Sequence, residues 1–254
     1  MGDDGRKVVA ARDPGIRPPV DAIPAVGGHQ PLCGKAMTDY QAARLNMVDS
    51  QLRPNRVSDE QLVGAFMRLR RELFLPERWR TVAYVDDDLP LGNGRYMMRP
   101  MVAARLVQAT MPAPKDTALV IGAGVGYEAA VLAQLAKNVI ALEENPELAR
   151  IGRAALVDHR IASVNYVEAP LGSGHRQRAP YDVILFGGAV SAIPDEITSQ
   201  LAEGGRLAVV LRQHECVGRA TLITRTGAGL ASRVIFDAAT PLLPGWGARP
   251  EFVF

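Results

Sequence analysis

A chain of 254 residues with 48% hydrophobic side chains can bury a sizeable core, as one large domain or two small ones. A net charge of +2, from 29 basic and 27 acidic residues, is too balanced to suggest nucleic acid or an anionic membrane as partner. The two cysteines, Cys33 and Cys216, have no CxxC or Cys/His spacing near them, so unpaired thiols are expected and no metal. No apolar run approaches the ~20 residues that span a bilayer, and the charged first residues lack a secretory signal's apolar stretch, which points to the cytoplasm.

Residues 1–36 are rich in Gly, Pro, Asp and Arg and carry a Pro18-Pro19 pair, which predicts a disordered leader. Met37 opens the ordered pattern, taken here as 37–254, with a helical part at 37–115 and a core at 116–254. Apolar residues at helical spacing predict a helix over 40–52, closed by Pro54. Ser58 and Gln61 have capping-box spacing, and Leu62, Ala65, Phe66 and Leu69 follow on one helical face up to Leu75-Pro76. Residues 85–93 combine Asp86-Asp87-Asp88, Leu89-Pro90-Leu91 and a Gly92-Asn93-Gly94 turn, an irregular loop or short hairpin. Pro100 begins the next helix, to about Met111.

Beyond 115 short apolar runs alternate with helical stretches, the mark of a parallel sheet covered on both faces. Strands are expected at 118–121, 139–142, 164–167, 183–186 and 207–211, with a helix over 195–201 and a turn at Glu203-Gly204-Gly205. Two further apolar segments, 220–224 and 232–236, are joined by too few residues for a crossover helix and predict an antiparallel hairpin. The fold class is therefore α/β: a doubly wound, Rossmann-like sheet with an N-terminal helical segment and a C-terminal antiparallel hairpin.

The chemistry concentrates after the first of these strands, in Gly122-Ala123-Gly124-Val125-Gly126-Tyr127. Alternating glycines between a strand and a helix let backbone approach a ligand closely. A dinucleotide fingerprint wants a small residue where this chain has Tyr127. About twenty positions on, at the end of the next strand, Glu143 stands where a carboxylate accepts the hydroxyls of an adenosine ribose; Glu144 is the competing acid. A nucleoside cofactor is expected on Gly122, Ala123, Gly124, Gly126 and Glu143. The histidines His29, His159, His175 and His214 have no metal-ligand spacing, and His214 and Glu215, after the fifth strand, are a minor candidate for a substrate contact.

Several stretches resemble the protein-L-isoaspartate O-methyltransferase family: Arg71-Glu72-Leu73-Phe74-Leu75-Pro76, Ala83-Tyr84-Val85-Asp86 with Leu89-Pro90-Leu91-Gly92, the loop Gly122 to Tyr127, Leu142-Glu143 with Pro146-Glu147-Leu148-Ala149, Ala179-Pro180-Tyr181-Asp182, and Gln200-Leu201-Ala202-Glu203-Gly204-Gly205. Their order and spacing resemble the family's from about Met37 to Leu211. The resemblance implies a class I methyltransferase fold, S-adenosyl-L-methionine as donor with S-adenosyl-L-homocysteine as product, and a protein or peptide carboxylate as acceptor. It also implies a serine two residues before Pro100 and a Gly-Asp-Gly run after the third strand, facing adenine. Here these positions read Met98 and Ala169-Pro170-Leu171. Met98 offers no useful hydrogen bond, and Pro170 offers only its carbonyl.

Met98 and Arg99 are thus the expected acceptor-end residues, Arg99 as a guanidinium able to hold a carboxylate in two parallel hydrogen bonds. Methyl transfer to a carboxylate needs positioning more than acid–base groups, so no catalytic residue is assigned. The leading expectation is a methyltransferase with a carboxylate acceptor. An S-adenosylmethionine-binding interaction or sensing protein is the alternative, and a nicotinamide-dependent oxidoreductase is disfavoured by Tyr127 and by the late hairpin.

Overall fold

The computed structural model describes residues 39–213 and 216–247; the leader at 1–36 and the pair His214 and Glu215 lie outside them. The first helix, α1 (Tyr40–Met47), is capped by Asp39, whose carboxylate accepts from the N–H groups of Gln41 and Ala42. The expected stretch to Leu52 continues as a wider π-type turn over Val48–Leu52 before Pro54 stops it. The second helix, α2 (Glu60–Arg68), corrects the expected cap. Asp59, not Ser58, receives the Leu62 N–H at 2.9 Å, and the Ser58 N–H that a capping box would give to Gln61 goes, with the Asp59 N–H, to the side-chain carbonyl of Gln108.

Residues 85–99 form a hairpin of β1 (Leu89–Gly92) and β2 (Arg95–Met97). Its turn, Gly92-Asn93-Gly94, has positive φ throughout, which the two glycines and an asparagine tolerate. Pro100 opens α3 (Pro100–Thr110).

The main sheet has seven strands in the order β5-β4-β3-β6-β7-β8-β9: β3 (Thr117–Ile121), β4 (Asn138–Glu143), β5 (Val164–Glu168), β6 (Tyr181–Val190), β7 (Leu201–Leu211), β8 (Gly218–Thr226) and β9 (Gly229–Ala238). The first five are parallel and the last two form the expected antiparallel hairpin. Helices α4 (Tyr127–Leu132), α5 (Pro146–Asp158) and α6 (Asp195–Thr198) lie between strands. The last is shorter than the expected 195–201, because the chain is already extended at Leu201, paired with Tyr181, and Gly204 at φ 72° takes up the register shift before Arg206 pairs with Val183.

Side chains of β3 alternate between two cores. Ala118 and Val120 face a large one built with α1 to α5, while Leu119 and Ile121 face a smaller one with Leu171, Ile197 and Leu243. Burial on both faces explains why the central strands read as continuous apolar runs. From β3 the chain runs outward to β4 and β5, then returns to lay β6 on the other side of β3. The carboxyl ends of β3 and β6 therefore flank the switch-point crevice where open α/β sheets take ligands.

Candidate cofactor and acceptor site

The β3–α4 connection is the glycine loop, and Gly122, Gly124 and Gly126 adopt φ of 71°, 56° and 83°, values that side-chain-bearing residues rarely adopt. The loop is pinned to the neighbouring strand: the N–H groups of Gly122 and Ala123 both donate to the Leu142 carbonyl, at 2.9 and 3.0 Å. Below it, the Tyr166 hydroxyl donates to the Gly124 carbonyl at 3.1 Å and fills the space that the missing side chains of Gly126 and Gly152 leave. Tyr127, the residue that breaks the dinucleotide pattern, is fully buried. Its ring lies under the Arg71 guanidinium at 4.7 Å and edge-on to Phe66 and Phe74, joining the helical segment to the sheet.

Glu143 ends β4, fully buried beside the loop. Its Oε2 accepts the Gly124 N–H at 2.6 Å and its Oε1 the Asn145 N–H at 2.9 Å. The other two acceptor directions are taken by Arg95, whose Nη1 donates to Oε1 at 3.0 Å and Nη2 to Oε2 at 2.8 Å. Arg95 Nη2 also reaches the Gly122 carbonyl at 2.8 Å, while its Nε is buried without an acceptor. Sequence reasoning missed this arginine. The available signal was alternation, since the inward positions of the hairpin are otherwise apolar and a charge there needs a partner.

The rest of the crevice is filled by Leu243, from the segment after β9. Its N–H donates to the Ala189 carbonyl, and its side chain reaches both Gly122 and Gly188. Met98, 1% exposed, lines the cavity left beside it with Gly94, Tyr96, Gly187, Gly188 and Leu243. That cavity is about 10 Å³, near the least that holds one water. Arg99 caps α3, donates its N–H to Asp88 at 2.9 Å, and pairs through Nη2 with Asp87 at 2.9 Å and Asp88 at 3.4 Å. Burial raises the Asp88 pKa, partly offset by Arg99. Pro170 is exposed just after β5, at the sheet end where the Ala169 N–H meets the Glu143 carbonyl. A larger cavity, about 490 Å³, lies elsewhere, between the ends of β7, β8 and β9 around Cys216, and none of its lining residues belongs to the glycine loop.

A second buried polar group lies beneath Met98. Arg71, fully buried, donates to the carbonyls of Ala83 and Met98, each at 2.7 Å. Glu128 on α4 is buried with Oε1 unpartnered, and desolvation raises its pKa against the pull of Arg71. The hydroxyl of Tyr84 donates to Glu72, which also pairs with Arg44.

These residues fit an adenosyl group once two side chains give way, Leu243 from the crevice between Gly122 and Gly188 and Arg95 from Glu143. The loop is backbone in left-handed conformation at the switch point, and the acid stands beside it; the Gly124 and Asn145 N–H groups belong to that framework. The two remaining acceptor directions open only when Arg95 leaves. A Rossmann-like sheet, a glycine loop after its first strand, an acid ending its second and a terminal antiparallel hairpin define the class I, S-adenosylmethionine-dependent methyltransferases.

Residues 43–234 match the family described as Protein-L-isoaspartate(D-aspartate) O-methyltransferase. A protein-L-isoaspartate O-methyltransferase from Koribacter versatilis is 33% identical over 84% of this chain and 96% of its own length. One from Methylorubrum populi is 38% identical over 68% of this chain and 80% of its own length. The chain belongs to this family and is a methyltransferase, which favours catalysis over the binding-only alternative. The fold is shared with a solved protein-L-isoaspartate O-methyltransferase at TM-score 0.69 and 23% identity, covering 82% of this chain and 67% of the other. It is also shared with a Plasmodium falciparum protein of that description, crystallised with S-adenosyl-L-homocysteine, at TM-score 0.66 and 18% identity, covering 80% and 97%. Among the described residues no helix is long and apolar enough to cross a membrane.

Proposed function

We propose that this chain transfers the methyl group of S-adenosyl-L-methionine to a carboxylate of a protein or peptide. The observation that carries the reading is the glycine loop at 122–126 with Glu143 beside it at the switch point. The bound donor supplies an activated methyl on its sulfonium. For this chain's residues the work is holding and shielding: the backbone of Gly122, Ala123, Gly124 and Gly126 would hold the donor, Glu143 would accept its ribose hydroxyls, and Pro170 would offer its carbonyl toward adenine. Met98 and Leu243 form an apolar wall beside the acceptor end that keeps water from a carboxylate nucleophile.

Arg99 is the acceptor's anchor in this reading. Its partner Asp87 is 72% exposed in the side chain, so an incoming carboxylate replaces one solvent-facing carboxylate with another and leaves Asp88 in place. A free, exposed thiol at Cys216 suits a reducing cytoplasm.

The test is transfer of labelled methyl from S-adenosyl-L-methionine to an isoaspartyl peptide, its aspartyl counterpart and a cell extract. Base-labile label on any of these identifies a carboxyl methyl ester and supports the reading. Absence of label from all three overturns it.

A further inference from the structure

We infer that Arg95 occupies the ribose position of the donor site and must leave Glu143 before the nucleoside binds, so that this arginine sets the affinity for the methyl donor. The inference rests on the methyltransferase reading above and deepens it.

An ionised carboxylate offers about four acceptor directions, and at Glu143 all are taken. Two go to backbone N–H groups, of Gly124 and Asn145, which the loop and the start of α5 hold in place. The other two go to the forked guanidinium of Arg95, which a ribose diol must displace to reach the same oxygens. The guanidinium also lies over the loop. A Cβ at Gly122 would stand 3.1 Å from Arg95 Nη2 and equally close to the Leu243 side chain, so the space opened by the absent side chain is filled by the chain itself, by Arg95 on the Glu143 side.

Arg95 has somewhere to go. It also lines an open groove of about 450 Å³ with Asn93, Glu144, Asn145, Pro146 and Pro244. Glu144 is exposed there, one residue beyond the carboxylate that Arg95 leaves. The buried position satisfies Glu143 completely but leaves Arg95 Nε without an acceptor, whereas the groove offers Nε water and a second carboxylate. The side chain therefore has two stations, a buried one on Glu143 that shuts the ribose site and a solvated one by Glu144 that opens it. A donor that binds only the open form has its affinity reduced by the open fraction.

Calorimetric titration of S-adenosyl-L-homocysteine into wild type, Arg95→Gln, Arg95→Lys and Glu144→Gln tests this. Arg95→Gln, which cannot grip the carboxylate as a charged fork, should tighten binding about tenfold or more even as its melting temperature falls. Arg95→Lys should fall between it and wild type, having charge without the fork. Glu144→Gln, a surface change that removes the outer station, should weaken binding by about two- to fivefold. A merely structural role for Arg95 predicts lower melting temperature without tighter binding, and that result overturns the inference. If Arg95→Gln does not fold, Arg95→Lys and Glu144→Gln decide, and binding by both equal to wild type overturns it. Folded wild type and variants that all fail to bind at millimolar ligand overturn the methyltransferase reading itself. Wild-type binding indifferent to all three changes overturns only the role of Arg95.

Discussion

Tyr166 and Gly152 meet at a contact that only a hydrogen can fill. A β-carbon at Gly152 would land on the Tyr166 hydroxyl and come within 2.8 Å of the Val125 carbonyl oxygen, and that same hydroxyl donates to Gly124. Helix α5 is thus pressed against the donor loop through one phenol. Gly152→Ala should cost about 1–3 kcal/mol by overpacking, and Tyr166→Phe about 1 kcal/mol for one hydrogen bond. In the double variant the closest clashing atom is gone, so the combined loss should fall short of the sum by about 0.5–3 kcal/mol. Urea unfolding of the four proteins measures this coupling; simple additivity would show that the contact is not the cause.

Arg71 ties the end of the β1–β2 hairpin to the core, bridging the carbonyls of Ala83 and Met98 from a fully buried position. Arg71→Met keeps the length and loses both donors. Two buried carbonyls are then left unpaired, and the expected loss is about 2–4 kcal/mol, read from chemical denaturation. A loss under about 0.5 kcal/mol, the range of an ordinary surface change, would mean that water replaces the guanidinium.

Glu128 supplies a pH signature. Burial raises its pKa, outweighing the attraction of Arg71 and Arg95, so the folded state holds this proton more tightly than the unfolded chain. The stability it contributes is fully present below the ordinary carboxylate value and is lost as pH rises through the raised, folded value. Glu128→Gln removes that loss. Its melting temperature should exceed wild type at pH 8, with the gap closing as pH falls toward the ordinary carboxylate range. Melting curves that stay a constant distance apart at every pH would sink the assignment.

The central strands were legible as continuous apolar runs buried on both faces, and the hairpin from its short linker, although β9 itself is largely exposed. The glycine loop and Glu143 were legible from spacing alone. What escaped was side-chain commitment. Sequence spacing places Glu143 beside the loop but cannot reveal that Arg95, on a hairpin 48 positions earlier, claims its oxygens, nor that Leu243, from beyond β9, fills the crevice between Gly122 and Gly188. Both arrive by long-range packing. The expected capping box failed for the same reason, since Gln108, far along the chain, takes the Ser58 N–H that the box would give to Gln61.

Met98 offers the sharpest test of the acceptor. The family resemblance implies a serine there, and this chain buries a methionine against Gly188 and Leu243 with about 10 Å³ to spare. Met98→Ser removes the apolar wall, widens the acceptor end and restores a hydroxyl, at an expected stability cost of about 2–4 kcal/mol. If Met98 is what keeps isoaspartate out, kcat/KM for an isoaspartyl peptide should rise about 10- to 100-fold, the worth of one hydrogen bond to a charged group, while the aspartyl peptide stays unchanged. Assays below the variant's melting temperature, with S-adenosyl-L-homocysteine binding measured alongside, separate this from unfolding. Intact binding with flat turnover would clear Met98 of that role and turn attention to Arg99, the proposed acceptor anchor, which pairs with Asp87.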